Sequence, residues 1–329
     1  MKHELLYLAR ADVEAAGVTM PEIIDRLAVM FREKGHGRTE MPPKPDLHPG
    51  PSGSDNFIHA MPAYCGALGA AGVKWIAGFP GNRDRGLPYV TGLIVLNDVE
   101  TGLPIAVMDA TWVTAMRTGA ASAIAARHLA RPDSAVVAIV GCGVQARTNL
   151  EALLHVLPRL ATVRAHDIHP ERTRAYVEEV GRRFPGLRAV ACAAPREAID
   201  GADVIVTAAP IRQRPVPVLD AAWLRPGALG LPLDYDSYWT PEAMAAADRF
   251  YTDDANQLLA TQARGIFFGK TPALYGDLGE VVAGLKDGRR TPEERLLCLN
   301  MGIALDDMAT APLVLERARE RGLGTRLTL

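Results

Sequence analysis

The chain has no apolar run approaching the ~18 residues that would suggest a membrane-spanning helix. Its four cysteines, Cys65, Cys142, Cys192 and Cys298, are scattered and form no CxxC pair. That spacing argues against a zinc site or a disulfide framework and reads as reduced core thiols. No group of His, Cys, Asp and Glu has metal-ligand spacing, so no metal is expected. Neither sign of charge dominates: the formal net charge is −2 and the pI ≈ 6.5. Without a basic face, nucleic acid is a poor partner. The opening Met1-Lys2-His3-Glu4 carries an acid and lacks a long apolar h-region, so no secretory leader is expected. Repeats and low-complexity tracts are also missing. A soluble cytoplasmic protein is the expectation, and 329 residues that are 48% hydrophobic suggest two domains with a sizeable core.

What is present is concentrated in residues 136–146, VVAIVGCGVQA. A β-branched run, as in a buried parallel strand, breaks into Gly141-Cys142-Gly143-Val144-Gln145-Ala146. The form is G-x-G-x-x-A followed by a helix-like stretch from Gln145 to Leu157. Gly141 allows the tight turn, Gly143 lets the backbone approach a pyrophosphate, and Ala146 lets helix and strand pack closely. The helix N-terminus then offers N–H groups and a positive dipole end to phosphates. A bare pattern of this kind could be a strand–turn–helix with no ligand. Here a second strand-like run, Ala161–His166, ends at Asp167, where an acid would hold the adenosine ribose hydroxyls. A third, Ala202–Thr207, follows a helix-like stretch. The expectation is a dinucleotide site. The acid favours NAD, since a 2′-phosphate would be repelled, and Arg164, His169 and Arg172 leave NADP as the less favoured alternative.

Residues 11–34 read as helix with an opening signal near Thr19, Pro21 in its first turn and Gly35 as a stop. Residues 36–56 read as a strand edge and a loop with a mobile tip at Pro49-Gly50-Pro51-Ser52-Gly53. Short strand-like runs at 57–61, 73–78, 89–97 and 104–109 suggest an antiparallel or mixed sheet. A long Ala-rich helix is expected from Thr111 to Ala130, and strand and helix then alternate to about residue 255. Asp277–Leu285 reads as strand or turn. Thr291-Pro292-Glu293-Glu294 carries a helix-start signal, and a last helix is expected from Met301 to Arg321. The fold class is α/β: a Rossmann-type dinucleotide-binding domain, 132–310, inserted in a discontinuous α+β substrate-binding and dimerisation domain, 1–131 and 311–329.

These segments resemble the ornithine cyclodeaminase/μ-crystallin family. The likeness is carried by GVKWIAGFPGNRDRGLPYVTG at 72–92, TWVTAMRTGAASAIAARHLA at 111–130, and the stretch from LGEVVAGLKDGRRTPEE to GIALDDMAT at 278–310. It implies a homodimer and hydride transfer between NAD and the Cα of a small amino or imino acid. Ornithine cyclodeaminase-like chemistry is the first expectation. Ketimine reduction or amino-acid dehydrogenation with net redox is the alternative, and a nucleotide-dependent binding protein without turnover is the second.

Each residue also has a plainer reading. Lys74, flanked by apolar residues, is either an exposed edge lysine or an inward charge; the resemblance makes it a carboxylate-holding residue near the reacting carbon. Arg117 could be an ordinary helix-surface arginine, whereas the resemblance gives it a fork for the substrate carboxylate. Lys44 stands where many members place an arginine; it is either a loop lysine or a third carboxylate contact without bidentate geometry. Asp234 matches the catalytic aspartate, with Asp236 as rival on the same strand face if the segment is extended. The surrounding LPLDYDSYW lacks the Gly-Asp-x-Pro-Gly-type loop of ornithine cyclodeaminases. For the cofactor, Thr118 would reach a phosphate or merely cap or pack, and Thr207 and Ala208 end the third strand on the adenine and ribose side; Asn300 and Met301 match the family segment near the nicotinamide or are an ordinary helix start. His128 and His155 read as packing or surface histidines.

Overall fold

The computed structural model describes residues 3–51 and 53–329. The leader reading at Met1-Lys2 and the tip residue Ser52 lie outside them. Along the chain run β1 (Glu4–Leu8), α1 (Arg10–Ala15), α2 (Met20–Gly35), β2 (Thr39–Glu40), β3 (Asp46–Leu47), β4 (Phe57–Cys65), β5 (Ala70–Gly78), β6 (Val90–Asn97), β7 (Pro104–Asp109) and α3 (Thr111–Leu129). Then follow β8 (Val136–Val140), α4 (Val144–Val156), β9 (Thr162–His166), α5 (Pro170–Arg183), β10 (Arg188–Ala191), α6 (Pro195–Ile199), β11 (Val204–Thr207), β12 (Leu229–Pro232), α7 (Pro241–Ala245), β13 (Arg249–Thr252) and α8 (Ala255–Ala263). The chain closes with β14 (Leu274–Asp277), α9 (Leu278–Val282), β15 (Leu296–Leu299), α10 (Ala304–Glu320) and β16 (Thr325–Thr328). The fold divides into two compact units, Met1–Arg117 with Gly302–Leu329, and Thr118–Met301.

The first unit is built on a mixed sheet ordered β16-β1-β7-β6-β5-β4-β2, with β3 also on β4. Among the described residues only the β1–β7 pair of this sheet is parallel. Strand alternation sends Lys74 and Ile76 of β5 to a buried face, where α10 packs across β4, β5 and β6. The other face carries Tyr64, Trp75 and Leu93, all exposed.

The second unit is an all-parallel sheet ordered β10-β9-β8-β11-β12-β15-β13-β14. Its first five strands follow the doubly wound order, and the order reverses between β8 and β11. Ligands in such sheets bind beyond the carboxyl ends of the strands at that point.

Local details depart from the sequence reading. The expected helix over 11–34 is two helices, because Gly17 takes φ +68° between them; Glu22 reaches back to the Thr19 N–H at the start of the second. Thr291-Pro292-Glu293-Glu294 starts no helix. Glu294 instead accepts the Arg290 N–H and pairs with Arg249, and the chain enters β15. Asp277–Leu285 contains the short helix α9, closed by a capping box from Asp277 and Glu280. Among the described residues no helix is long and apolar enough to cross a membrane, and no cluster could hold a metal ion.

Candidate active site

In the first unit, three sequence-predicted cations are buried. β5 lies between β4 and β6, so Lys74 is not at an edge; it stands opposite the buried Met61 and Ile94 with no solvent exposure. Its Nζ lies 2.6 Å from Asp307 Oδ2. Arg117, on α3, donates from Nη1 to Asp306 Oδ2 at 3.1 Å and places Nε 3.4 Å from Asp307 Oδ1. Lys44 donates to the Gly302 carbonyl at 3.2 Å. Gly302 has φ +74°, so the turn into α10 favours glycine, and a Cβ there would lie 2.7 Å from Arg117 Nη1 and displace that guanidinium.

Asp306 and Asp307 were not singled out from sequence. They occupy the first turn of α10, where the helix dipole favours acids. Their available signal was two adjacent acids opening a helix that carries no other charge until Glu316. Lys74 and Arg117 face these two carboxylates, and Lys44 is near enough to disfavour the Lys74 ammonium. Burial pulls the Lys74 ammonium down to about 8, and Arg117 adds to the shift while Asp307 opposes it.

In the second unit, Gly141 takes φ +91°, and a Cβ on it would meet the Ala208 carbonyl at 2.7 Å. The turn thus needs glycine for its conformation and to pass beside the end of β11. A Cβ on Gly143 would meet nothing within 4 Å, so open space lies beside that backbone. No side chain caps α4, and its first residue, Val144, is exposed. Gln145 accepts from the Asn149 side-chain amide, whereas Ala146 is fully buried and its carbonyl accepts the Tyr176 hydroxyl. Asp167, just past β9, accepts the Cys142 N–H at 2.9 Å. Open backbone, an uncapped helix start and an adjacent acid fit a dinucleotide.

Asp234 and Asp236 do not share a face. Tyr235 between them takes φ +59°, which turns the chain. Asp234 is fully buried and accepts the Thr207 hydroxyl at 2.7 Å and the Ala209 N–H at 3.0 Å. Asp236 accepts the Phe268 N–H at 2.6 Å. Burial lifts the Asp234 carboxyl to about 7, against the pull of those two bonds. Thr118 lies well inside α3, so it is not an N-cap. Its neighbour Gly119 packs so tightly on α4 that a Cβ would lie 2.4 Å from the Thr148 carbonyl. Asn300, at the end of β15, bonds Ser122, and Met301 beside it is buried. His155 is exposed and His128 half-buried.

Residues 3–322 match the model of the ornithine cyclodeaminase/mu-crystallin family.

The chain belongs to the ornithine cyclodeaminase/mu-crystallin family.

It is 36% identical over 332 residues to the alanine dehydrogenase of Archaeoglobus fulgidus, covering 98% of each chain. Among solved structures it resembles the Thermococcus litoralis Delta(1)-pyrroline-2-carboxylate reductase in complex with NADH and L-proline. That match has TM-score 0.87 and 31% identity over 98% of this chain and 99% of that one. An archaeal alanine dehydrogenase dimer with bound NAD matches at TM-score 0.87 and 34% identity over 99% of each. The α/β architecture with a Rossmann-type sheet is shared with these members. The two places singled out from sequence as distinctive are Lys44 and the LPLDYDSYW segment that runs out of β12. The latter is packed as core, with Tyr235 against Phe267 and Phe268.

Proposed function

We propose that the chain is an NAD-dependent oxidoreductase acting at the Cα–N bond of a small α-amino or cyclic imino acid. The observation that carries this reading is the buried cation group Lys74, Arg117 and Lys44, whose chemistry suits a carboxylate. Unit 1 is the substrate-binding part and unit 2 the dinucleotide-binding part. The Gly141–Ala146 turn takes the pyrophosphate and Asp167 the ribose, which favours NAD over NADP. Thr118, Ala208, Asn300 and Met301 complete the cofactor contacts. Thr207, whose hydroxyl is bonded to Asp234 and Trp239, serves the site by holding Asp234.

When bound, NAD takes or gives a hydride at its nicotinamide. Lys74 and Arg117 hold the carboxylate and so fix the Cα; such positioning is worth several kcal/mol in favourable cases. Lys44 adds a point charge. Asp234 takes a proton from the amine nitrogen in oxidation and returns one in reduction.

Net redox is the preferred reading, because an alanine dehydrogenase and a pyrroline-carboxylate reductase are both similar over the whole chain. In the oxidative direction, an amino acid, NAD and water yield a 2-oxo acid, ammonium, NADH and a proton. Redox-neutral cyclodeamination is the second reading, supported by the family itself. An assay of NADH and ammonia across an amino-acid panel separates the two. A homodimer accords with the dimeric archaeal relative, and the exposed face of the first sheet, around Trp75 and Leu93, is its proposed interface.

A further inference from the structure

The contacts of Asp307 differ in kind from those of its neighbour. Asp306 pairs with Arg117, whereas Asp307 spans both substrate cations: Oδ2 lies 2.6 Å from Lys74 Nζ and Oδ1 3.4 Å from Arg117 Nε. Asp307 has no solvent exposure, and neither of its oxygens has an aligned hydrogen-bond donor. Two oxygens, each against a different cation, make a bridge. The bridge starts from the first turn of α10, so it ties the β5 lysine and the α3 arginine to one rigid element.

We propose that Asp307 is a positioning residue that bridges Lys74 and Arg117 and thereby holds two buried cations side by side for a single carboxylate. The proposal rests on the substrate reading given above. Without the bridge, two like charges confined in a dry site would repel, and the cheaper escape is loss of the lysine proton. The charged groups acting on Lys74 are Arg117 of α3, Lys44 of the loop after β2, and Asp307 of α10. The first two and burial disfavour the ammonium; Asp307 alone of the three favours it. Asp307 would not touch substrate. Its effect passes through Lys74.

The test uses the full chain, saturated with NAD and labelled with [13Cε]lysine, with the Lys74 resonance assigned from a Lys74→Arg variant. In the unsubstituted protein Lys74 titrates near about 8. Asp307→Asn moves that titration down by one pKa unit or more, a tenfold or greater loss of ammonium above it, while Asp306→Asn moves it much less. Asp307→Glu, which keeps the charge, retains the higher titration and keeps the comparison usable should the Asn variant fail to fold. In kinetics with L-alanine, Asp307→Asn raises KM about tenfold or more with the KM for NAD unchanged, and the alkaline limb of kcat/KM shifts with the lysine. A Lys74 titration equal in Asp307→Asn and the unsubstituted protein overturns the proposal, as does an equal shift in Asp306→Asn. If L-alanine is not turned over by the unsubstituted protein, the substrate reading loses support while the lysine titration still decides the role of Asp307.

Discussion

Thr207 donates its hydroxyl proton to Asp234 across 2.7 Å, and the same oxygen accepts the Trp239 indole N–H at 3.0 Å. The hydroxyl therefore fixes one carboxylate oxygen and steadies the ionised form of an acid that burial would neutralise. Thr207→Val removes both bonds. The Asp234 titration then moves above about 7, and the stranded indole N–H costs about 1–3 kcal/mol of stability. Chemical denaturation and the pH profile of kcat/KM measure the two effects separately.

The titration of Asp234 near about 7 has opposite consequences in the two directions. Its pKa is raised above the ordinary value, so the neutral acid persists up to about that pH. Amine oxidation needs the carboxylate, and kcat/KM rises through about 7. Imine reduction needs the acid, and kcat/KM falls above it. In both directions activity declines beyond about 8 as Lys74 loses its proton. An oxidation profile flat from acid to neutral pH contradicts the assignment.

On the proposed mechanism Asp234→Asn removes the proton carrier and lowers kcat by about 10²–10⁴-fold. Asp236→Asn disturbs the bond to the Phe268 N–H and removes a charge that helps raise the Asp234 carboxyl, and leaves kcat within about tenfold. Equal losses in the two variants, measured at saturating substrate, would reject Asp234 as the acid–base group.

Asp167→Ser removes the charge that repels a 2′-phosphate. The ratio of kcat/KM for NAD to that for NADP falls by about tenfold or more, because the ribose hydroxyls of NAD no longer meet a charged acceptor and the phosphate of NADP is no longer repelled. An unchanged ratio places ribose recognition elsewhere.

Trp75→Asp puts a charge in the middle of the exposed sheet face, opposite Ala60 and Leu93 on the neighbouring strands. On the proposed homodimer, sedimentation shows the unsubstituted chain as a dimer and the variant as a monomer at the same concentration. Persistence of the dimer would assign the interface to another surface.

The dinucleotide half was legible because local chemistry dictates it. A β-branched strand, a glycine that must take positive φ and a small residue under the next strand leave a short-range pattern. Asp167 follows from the spacing of two parallel strands. The buried charge cluster of the first unit was legible only in part, because its contacts are nonlocal. Lys74 reads equally as edge or core until β4 and β6 are placed on either side of it. Asp306 and Asp307 become meaningful only when α10 returns across a sheet laid down two hundred residues earlier. Asp236 separated from Asp234 for a similar reason: Tyr235 adopts a positive φ that its side chain does not announce. The acids at Glu293 and Glu294 signalled a helix start, but Arg249 from a distant strand recruited Glu294 to a turn.

The central claim is net redox at the Cα–N bond, and it is tested most directly by measuring NADH and ammonia in the same sample. The chain is incubated with NAD and a panel of L-amino acids that includes alanine, proline, ornithine and lysine; the reverse reaction uses NADH and 1-pyrroline-2-carboxylate. The account predicts stoichiometric change in NADH with at least one substrate, accompanied by ammonia when the product is an open-chain oxo acid. Ammonia release from ornithine or lysine with NADH unchanged would contradict it in favour of cyclodeamination, and no turnover with any member of the panel would contradict the enzyme reading.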